Sequence, residues 1–133
     1  MEPESKNKKI ILVVDDDATM LAAVSGLLAD AGYKILRATT GSNGLQRSRE
    51  FKGEIHLLLS DFQMPGGMSG SDLATAMTID RPKLKVLLMS GFDGGTLILN
   101  EGWHFLAKPF VSSQLRALIE GLVYQDQKSK FSR

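Results

Sequence analysis

Five short apolar runs, separated by longer stretches with helical spacing, constrain the fold of this chain most. Ile10–Val14 is apolar throughout and rich in β-branched residues, and similar runs return at 55–59 and 86–89. Two weaker runs lie at 33–37 and 103–107. An apolar run without polar alternation is typical of a strand that is buried on both faces, as in a parallel sheet. The sequence therefore predicts five parallel strands.

The stretches between these runs favour helices, because their apolar residues recur at spacings of three and four. The predicted helices cover 20–31, 40–51, 71–79 and a last segment capped by Ser112 or Ser113. Gly32 should end the first helix, and Pro82 blocks continuation of the third. The glycine-rich stretch 94–102 has room only for a shortened fourth helix.

Alternating strands and helices in one chain of this length predict an α/β fold. We expect a three-layer, doubly wound, five-stranded parallel sheet with right-handed crossovers and the flavodoxin-like order 2-1-3-4-5. The main domain should cover 9–125, between a disordered lead at 1–8 and a polar tail at 126–133.

The composition fits one globular domain and excludes several kinds of site. A hydrophobic fraction of 43% in 133 residues supports one core. The chain has no cysteine, which rules out disulfides and thiolate chemistry and fits a cytoplasmic address. Its net charge of +1 gives no case for a nucleic-acid or membrane surface. The apolar runs are too short to span a bilayer, and the first residues lack the apolar core of a signal peptide.

Polar residues follow four of the strands at their carboxyl ends, where doubly wound sheets bind their ligands. They are Asp15 and Asp16 after the first strand, Asp61 after the third, Ser90 after the fourth and Lys108 after the fifth. The acids should converge, because strands one and three are neighbours in the predicted order. Converging carboxylates repel one another unless a cation neutralises them, and magnesium prefers such oxygen ligands. With a lysine and a hydroxyl nearby, the set predicts a phosphoryl-transfer site.

Each of these residues also has a simpler interpretation when it is taken alone. Asp17 is best read as a helix cap, and Ser90 or Lys108 alone would be unremarkable. His56 and His104 lie within strand runs, where packing or exposure is favoured over metal binding. Four methionines read as core filling: Met64, Met68, Met77 and Met89. The functional hypothesis therefore rests on the joint placement of the polar residues.

Four segments, taken together and in order, resemble the receiver domain of two-component response regulators, the CheY-like family. They are Ile-Leu-Val-Val-Asp-Asp-Asp at 11–17, Ser-Asp-Phe-Gln-Met-Pro at 60–65, Met-Ser-Gly at 89–91 and Lys-Pro-Phe at 108–110. The resemblance runs from residue 9 to about residue 124. It implies a phosphorelay signalling module rather than an enzyme. Its partners would be a sensor histidine kinase or phosphotransfer protein and an unnamed protein target, without contact to nucleic acid or membrane.

The resemblance also implies a role for each matching position. Asp61 would be the phosphoacceptor, and Mg2+ would be held by Asp15, Asp16, Asp61 and the backbone carbonyl of Gln63. Lys108 and Ser90 would contact the phosphoryl group, and Ser90 and Phe105 would form the switch. The peptide bond before Pro109 would be cis.

The chain departs from the family pattern at two places. Gly66 and Gly67 lengthen the loop before Met-Ser-Gly at 68–70 by one residue. Only 17 residues separate Ser90 from Lys108, which is short by roughly one helical turn. The segment 96–101 should then be a short, mobile turn of helix whose consecutive apolar residues at 97–99 cannot all face the core. We expect a partner or a second copy, in a dimer, to cover them.

Two other functions remain open at this stage. A magnesium-dependent phosphatase of the haloacid-dehalogenase type would use Asp15-x-Asp17, although 133 residues leave no room for its cap domain. A receiver that has lost phosphorylation would act only as a binding module, which the filled motif positions disfavour. The sequence does not decide whether the chain is a stand-alone receiver or a part of a larger protein.

Overall fold

Five parallel strands form the centre of the protein, with helices on both faces of the sheet. The computed structural model describes residues 8–64, 66–91 and 102–124. Along the chain these residues form β1 (Ile10–Val14), α1 (Ala18–Asp30), β2 (Lys34–Ala38), α2 (Gly41–Glu50), β3 (Leu57–Asp61), α3 (Gly70–Asp80), β4 (Lys85–Ser90), β5 (Trp103–Ala107) and α4 (Ser112–Val123). The strand order is β2-β1-β3-β4-β5. All four strand pairs are parallel. The predicted fold and strand order are therefore confirmed.

Two apolar clusters lie on opposite faces of the sheet and account for the uninterrupted apolar strands. On one face, Leu28 of α1 and Ile119 of α4 pack with Leu59 of β3. On the other face, Met77 of α3 packs with Leu58 of β3. All five side chains are fully buried, and burial of a side chain of this size stabilises the fold by about 1.5–3 kcal/mol. The central strands are apolar on both faces because each face contacts its own layer of helices.

Short polar side chains fix the start of three helices. Asp17 accepts hydrogen bonds from the N–H groups of Thr19 and Met20 at the start of α1, which confirms its predicted capping role. Thr40 caps α2, and Ser69 forms a reciprocal capping box with Asp72 in the first turn of α3. The first helix stops as predicted, because Gly32 adopts a φ of 103° just after its end.

Most predicted boundaries differ from the observed ones by one or two residues, and the errors at the third strand and the last helix bear on the site. The third strand covers 57–61 rather than 55–59, because its pairing starts where Leu57 faces Ile11 of β1; Ile55 is buried but precedes the strand. The last helix is not capped by Ser112 or Ser113. Its N-cap residue is Val111, whose side chain makes no capping hydrogen bond.

Several expectations lie outside the described residues. They are the shortened fourth helix and its apolar residues at 97–99, all but the last residue of the lead, and the tail. Within the described segments, no helix is both long and apolar enough to cross a membrane.

Candidate functional site

The carboxyl ends of β1 and β3 lie side by side and present the predicted acids. Asp61 is the last residue of β3, and it faces Met89 of β4 in the strand register. Asp15 follows β1 directly, and its N–H donates to the carbonyl of Ala38 at 3.2 Å, which continues the pairing with β2. The backbone ladders on both sides therefore fix where these two side chains start.

Three carboxylates converge at this edge. Asp15, Asp16 and Asp61 each offer an oxygen, and these oxygens lie within 4.8 Å of one another. The environments differ: Asp15 is 1% exposed, Asp16 is exposed, and the side chain of Asp61 is 15% exposed. One acid is thus sealed in the protein while the others reach solvent. This arrangement can hold a hard cation between a buried and an open side.

The buried carboxylate of Asp15 is only half satisfied. Its Oδ1 accepts a hydrogen bond from the N–H of Asp17 at 2.9 Å, while its buried Oδ2 has no hydrogen-bond partner. Burial raises the pKa of Asp15; the Asp17 hydrogen bond and Lys108 oppose this effect, and the charges of Asp61 and Asp16 add to it. An unsatisfied buried oxygen is costly, and a metal ligand bond would satisfy it. The residues therefore fit the predicted magnesium site.

Lys108 brings the one positive charge that the described residues place against these acids. Its Nζ lies 3.1 Å from Oδ1 of Asp61 and 3.8 Å from Oδ2 of Asp15. The N–H of Lys108 donates to the carbonyl of Ser90 at 2.7 Å, which ties the end of β5 to the end of β4. The bond between Lys108 and Pro109 is cis. The ammonium group therefore bridges the acid on β3 and the acid after β1.

The remaining candidates lie around this centre. Ser90 closes β4 and is buried. Phe105 on β5 faces Leu88 in the register, is half-buried and packs against the cluster that contains α3. Gln63 is exposed in the loop after β3. Four candidates, Asp15, Asp16, Asp61 and Lys108, thus form one contiguous group.

Two further residues that position Asp61 were missed by reasoning from the sequence. Gly70 packs so closely on the end of β3 that a Cβ there would overlap the carbonyl oxygen of Asp61. The buried hydroxyl of Ser60 donates to that same carbonyl at 2.9 Å. The glycine was visible in the motif at 68–70, but only the packing shows what it contacts.

The comparisons with known proteins agree with this arrangement. The profile described as "Response regulator receiver domain" matches residues 11–120. Among curated relatives, the transcriptional regulator NtrC of Escherichia coli is 33% identical over 90% of this chain, and the sensor kinase CckA of Brucella abortus is 28% identical over 90%. The chain spans 26% and 13% of their respective lengths. It is therefore similar to one part of each of these larger proteins.

Solved structures give the same result. A CheY-like receiver domain protein from Methanospirillum hungatei superposes with a TM-score of 0.82 at 27% identity, over 92% of this chain and 99% of that one. A receiver domain protein from Clostridium thermocellum superposes with a TM-score of 0.79 at 27% identity, over 90% and 97%. With the profile match over most of its length, the chain belongs to the response regulator receiver domain family.

Proposed function

We propose that the chain accepts a phosphoryl group on Asp61 from a histidine kinase or phosphotransfer protein, in a magnesium-dependent reaction, and that phosphorylation changes its protein contacts. One observation carries the proposal: the carboxylate oxygens of Asp15, Asp16 and Asp61 lie within 4.8 Å, with the Lys108 ammonium 3.1 Å from Asp61. A carboxylate, a lysine and a hard-cation site are the parts that phosphoryl transfer requires.

In the proposed reaction, an Asp61 carboxylate oxygen attacks phosphorus. A P–O bond forms, the P–N bond of the donor phosphohistidine breaks, and its electron pair stays on the imidazole. Lys108 already contacts Asp61 and is placed to balance charge on the phosphoryl oxygens. Gly70 and Ser60 hold the Asp61 backbone, so that the carboxylate keeps its position while charge develops.

Magnesium would be held by Asp15, Asp16 and Asp61, together with the backbone carbonyl of Gln63. When bound, it supplies positive charge that offsets the acids and the phosphoryl oxygens. The unsatisfied Oδ2 of Asp15 supports this assignment, because that atom lacks a hydrogen bond in the folded chain. Asp16 provides the solvent-facing side of the site.

The switch would involve Ser90 and Phe105. The buried hydroxyl of Ser90 lies at the end of β4, next to the strand that ends in Asp61. A phosphoryl group on Asp61 would draw this hydroxyl inward, and Phe105 would pack further into the space that it leaves. The half-buried ring of Phe105 has no hydroxyl that needs a partner, so deeper burial costs little.

Phosphorylation of the intact chain tests this proposal. Incubation with acetyl phosphate and magnesium should add one phosphoryl group, measured by intact mass, because Asp61 is the only acceptor. Asp61→Asn should add none, whereas Asp30→Asn, the same change at the exposed end of α1, should react normally. Equal modification of Asp61→Asn would contradict the assignment of the acceptor. Steady turnover of a phosphate ester would instead indicate a phosphatase.

The metal assignment is tested separately with Asp16→Asn. This variant should lose its response to magnesium together with most of the phosphorylation, since an exposed ligand has been removed. Its stability without metal should be equal or higher, because one repelling charge is gone. Unchanged magnesium affinity, measured by titration calorimetry, would show that the acids have been misassigned.

A further inference from the structure

The amino edge of the sheet lies at the opposite pole from Asp61 and carries the opposite charge. Lys9 precedes β1, Lys34 opens β2 and Lys85 opens β4. Backbone hydrogen bonds tie these starts together: Lys34 to Lys9 at 2.9 Å, and Lys85 to His56 at 3.2 Å. Neighbouring strands lie ~4.8 Å apart, so this row of lysines extends over roughly 15 Å.

A cavity of about 480 Å³ adjoins the row, between the end of α1 and the face of α4. Three cationic residues line it, Lys8, Lys9 and Arg116, against one acid, Glu120. The rings of Tyr33 and Tyr124 complete the lining, and the Lys9 ammonium lies 5.3 Å from the centre of the Tyr124 ring. The cavity therefore offers a net positive charge and two aromatic surfaces, and its volume is that of a ligand pocket.

Three of these cations form no ion pair within the segments that the structure describes. Among the described residues, the ion pairs join other partners, and Lys8, Lys9 and Lys34 take part in none of them. Lys34 instead lies over the ring of Phe51, with its Nζ 5.6 Å from the ring centre. Nor does the phosphoacceptor site use these residues, since it lies at the other end of the strands.

We infer that this amino pole, centred on Lys9, Lys34, Arg116 and the tyrosine-lined cavity, is a second interaction surface that binds a short acidic segment of a partner protein. Carboxylates of the segment would pair with Lys9 and Lys34, and one side chain would enter the cavity between Lys9 and Arg116. The surface is separate from Asp61, so a partner could remain bound while Asp61 is phosphorylated.

The mixed charge of the pole favours an acidic segment over a continuous polyanion. Glu54 and Glu120 lie among the cations, and Glu54 is 3.5 Å from the Nε2 of His56. A nucleic acid or an anionic bilayer would place negative charge against these carboxylates. A peptide can instead carry its acids only where lysines face them, which gives complementarity and selectivity.

The test uses the full 15N-labelled chain and an acetylated, amidated hexaglutamate peptide as the probe, with hexaglutamine as the neutral control. Hexaglutamate should give saturable amide shifts at 32–34 and 116–124 that weaken as salt is added, and none at Asp15 or Asp61. The Asp61→Asn variant should bind equally well. Hexaglutamine should give no shifts.

A charge-matched comparison makes the test decisive. Lys9→Gln with Arg116→Gln should weaken hexaglutamate binding about tenfold, because two cations that face the segment are lost. Arg37→Gln with Arg47→Gln, which removes the same charge from exposed positions elsewhere, should leave binding unchanged. If the first double variant unfolds, Lys34→Gln, an exposed position on the row, replaces it in the comparison.

Equal loss in both double variants would show non-specific attraction and would overturn the inference. Tighter binding of a single-stranded oligonucleotide of equal charge, or of vesicles containing phosphatidylserine, would also overturn it in favour of a continuous polyanion. Failure of the peptide to shift any amide would overturn the inference and leave the proposed role of Asp61 untouched, because the two sites lie at opposite ends of the sheet.

Discussion

Replacing Lys108 by Met should destabilise the metal-free protein, because it removes the positive charge that lies between two acids. The methionine keeps most of the apolar stem, so the change removes the ammonium group with little loss of packing. Asp15 would be left 1% exposed, with its buried Oδ2 still lacking a hydrogen bond and the charge of Asp61 nearby. The variant therefore isolates the electrostatic contribution of the lysine.

The expected magnitude follows from the two distances. At an effective dielectric constant of ~20, the attraction at 3.1 Å is about 5 kcal/mol and that at 3.8 Å about 4 kcal/mol, before desolvation. Desolvation of the ions offsets much of this gain, by several kcal/mol for each ion. The lysine side chain also remains 24% exposed and is partly screened. We expect Lys108→Met to lower the free energy of unfolding by about 1–3 kcal/mol. This value lies between the effect of breaking an exposed ion pair and that of breaking a buried one.

Urea unfolding in the presence of a chelator would measure this loss in two backgrounds. In the Asp15→Asn background, Lys108→Met should lower the free energy of unfolding by at least ~1 kcal/mol less, because the buried charge is no longer present. Lys83→Met, at an exposed position, should cost almost nothing. An equal cost of Lys108→Met in both backgrounds, or a cost below ~0.5 kcal/mol, would refute the electrostatic argument.

Two further changes test other parts of the structure. Gly70→Ala should lower the free energy of unfolding by about 1–3 kcal/mol and slow phosphorylation by acetyl phosphate, since its Cβ would overlap the Asp61 carbonyl. Gly67→Ala is the control, because a Cβ at Gly67 would meet no atom within 4 Å. Equal effects of the two changes would contradict the packing argument. Burial lowers the pKa of His56, whose Nδ1 accepts from the Ile10 N–H, so the unfolded chain takes up the proton first. The free energy of unfolding measured by urea should therefore fall as pH drops through about 6.5 and then level off, and His56→Gln should remove this step.

Much of the fold could be predicted from the sequence, because apolar runs without polar alternation arise only where a strand is covered on both faces. The parallel arrangement then places the carboxyl ends of β1 and β3 side by side, which is why the convergence of Asp15 and Asp61 followed from strand order alone. The start of β3 was wrong by two residues. Ile55 is as apolar as the strand itself, but its position precedes the pairing with β1.

Finer features of the site depend on three-dimensional packing that the sequence does not encode locally. Asp15 and Asp16 are adjacent and chemically identical, yet Asp15 is buried and Asp16 is exposed, a difference that comes from the packing around the loop after β1. The order of the strands placed Lys108 near Asp61, but its second contact, with Asp15 at 3.8 Å, emerges only from the packing. Likewise, the lysines at the amino edge are far apart in the chain, so their arrangement in one row could not be predicted from a local run of charges.

The packing that buries Asp15 also destabilises the acidic edge of the sheet, and binding of a cation can relieve this destabilisation. A buried carboxylate oxygen without a hydrogen bond is unfavourable in the folded chain, and Lys108 compensates it only from 3.8 Å. This edge of the sheet is therefore less stable than the buried, paired backbone of β1 and β3 would allow. Any cation that satisfies this oxygen gains binding free energy from relieving the cost. Binding of metal and stability of the fold should accordingly be coupled through Asp15, a side chain that solvent barely reaches.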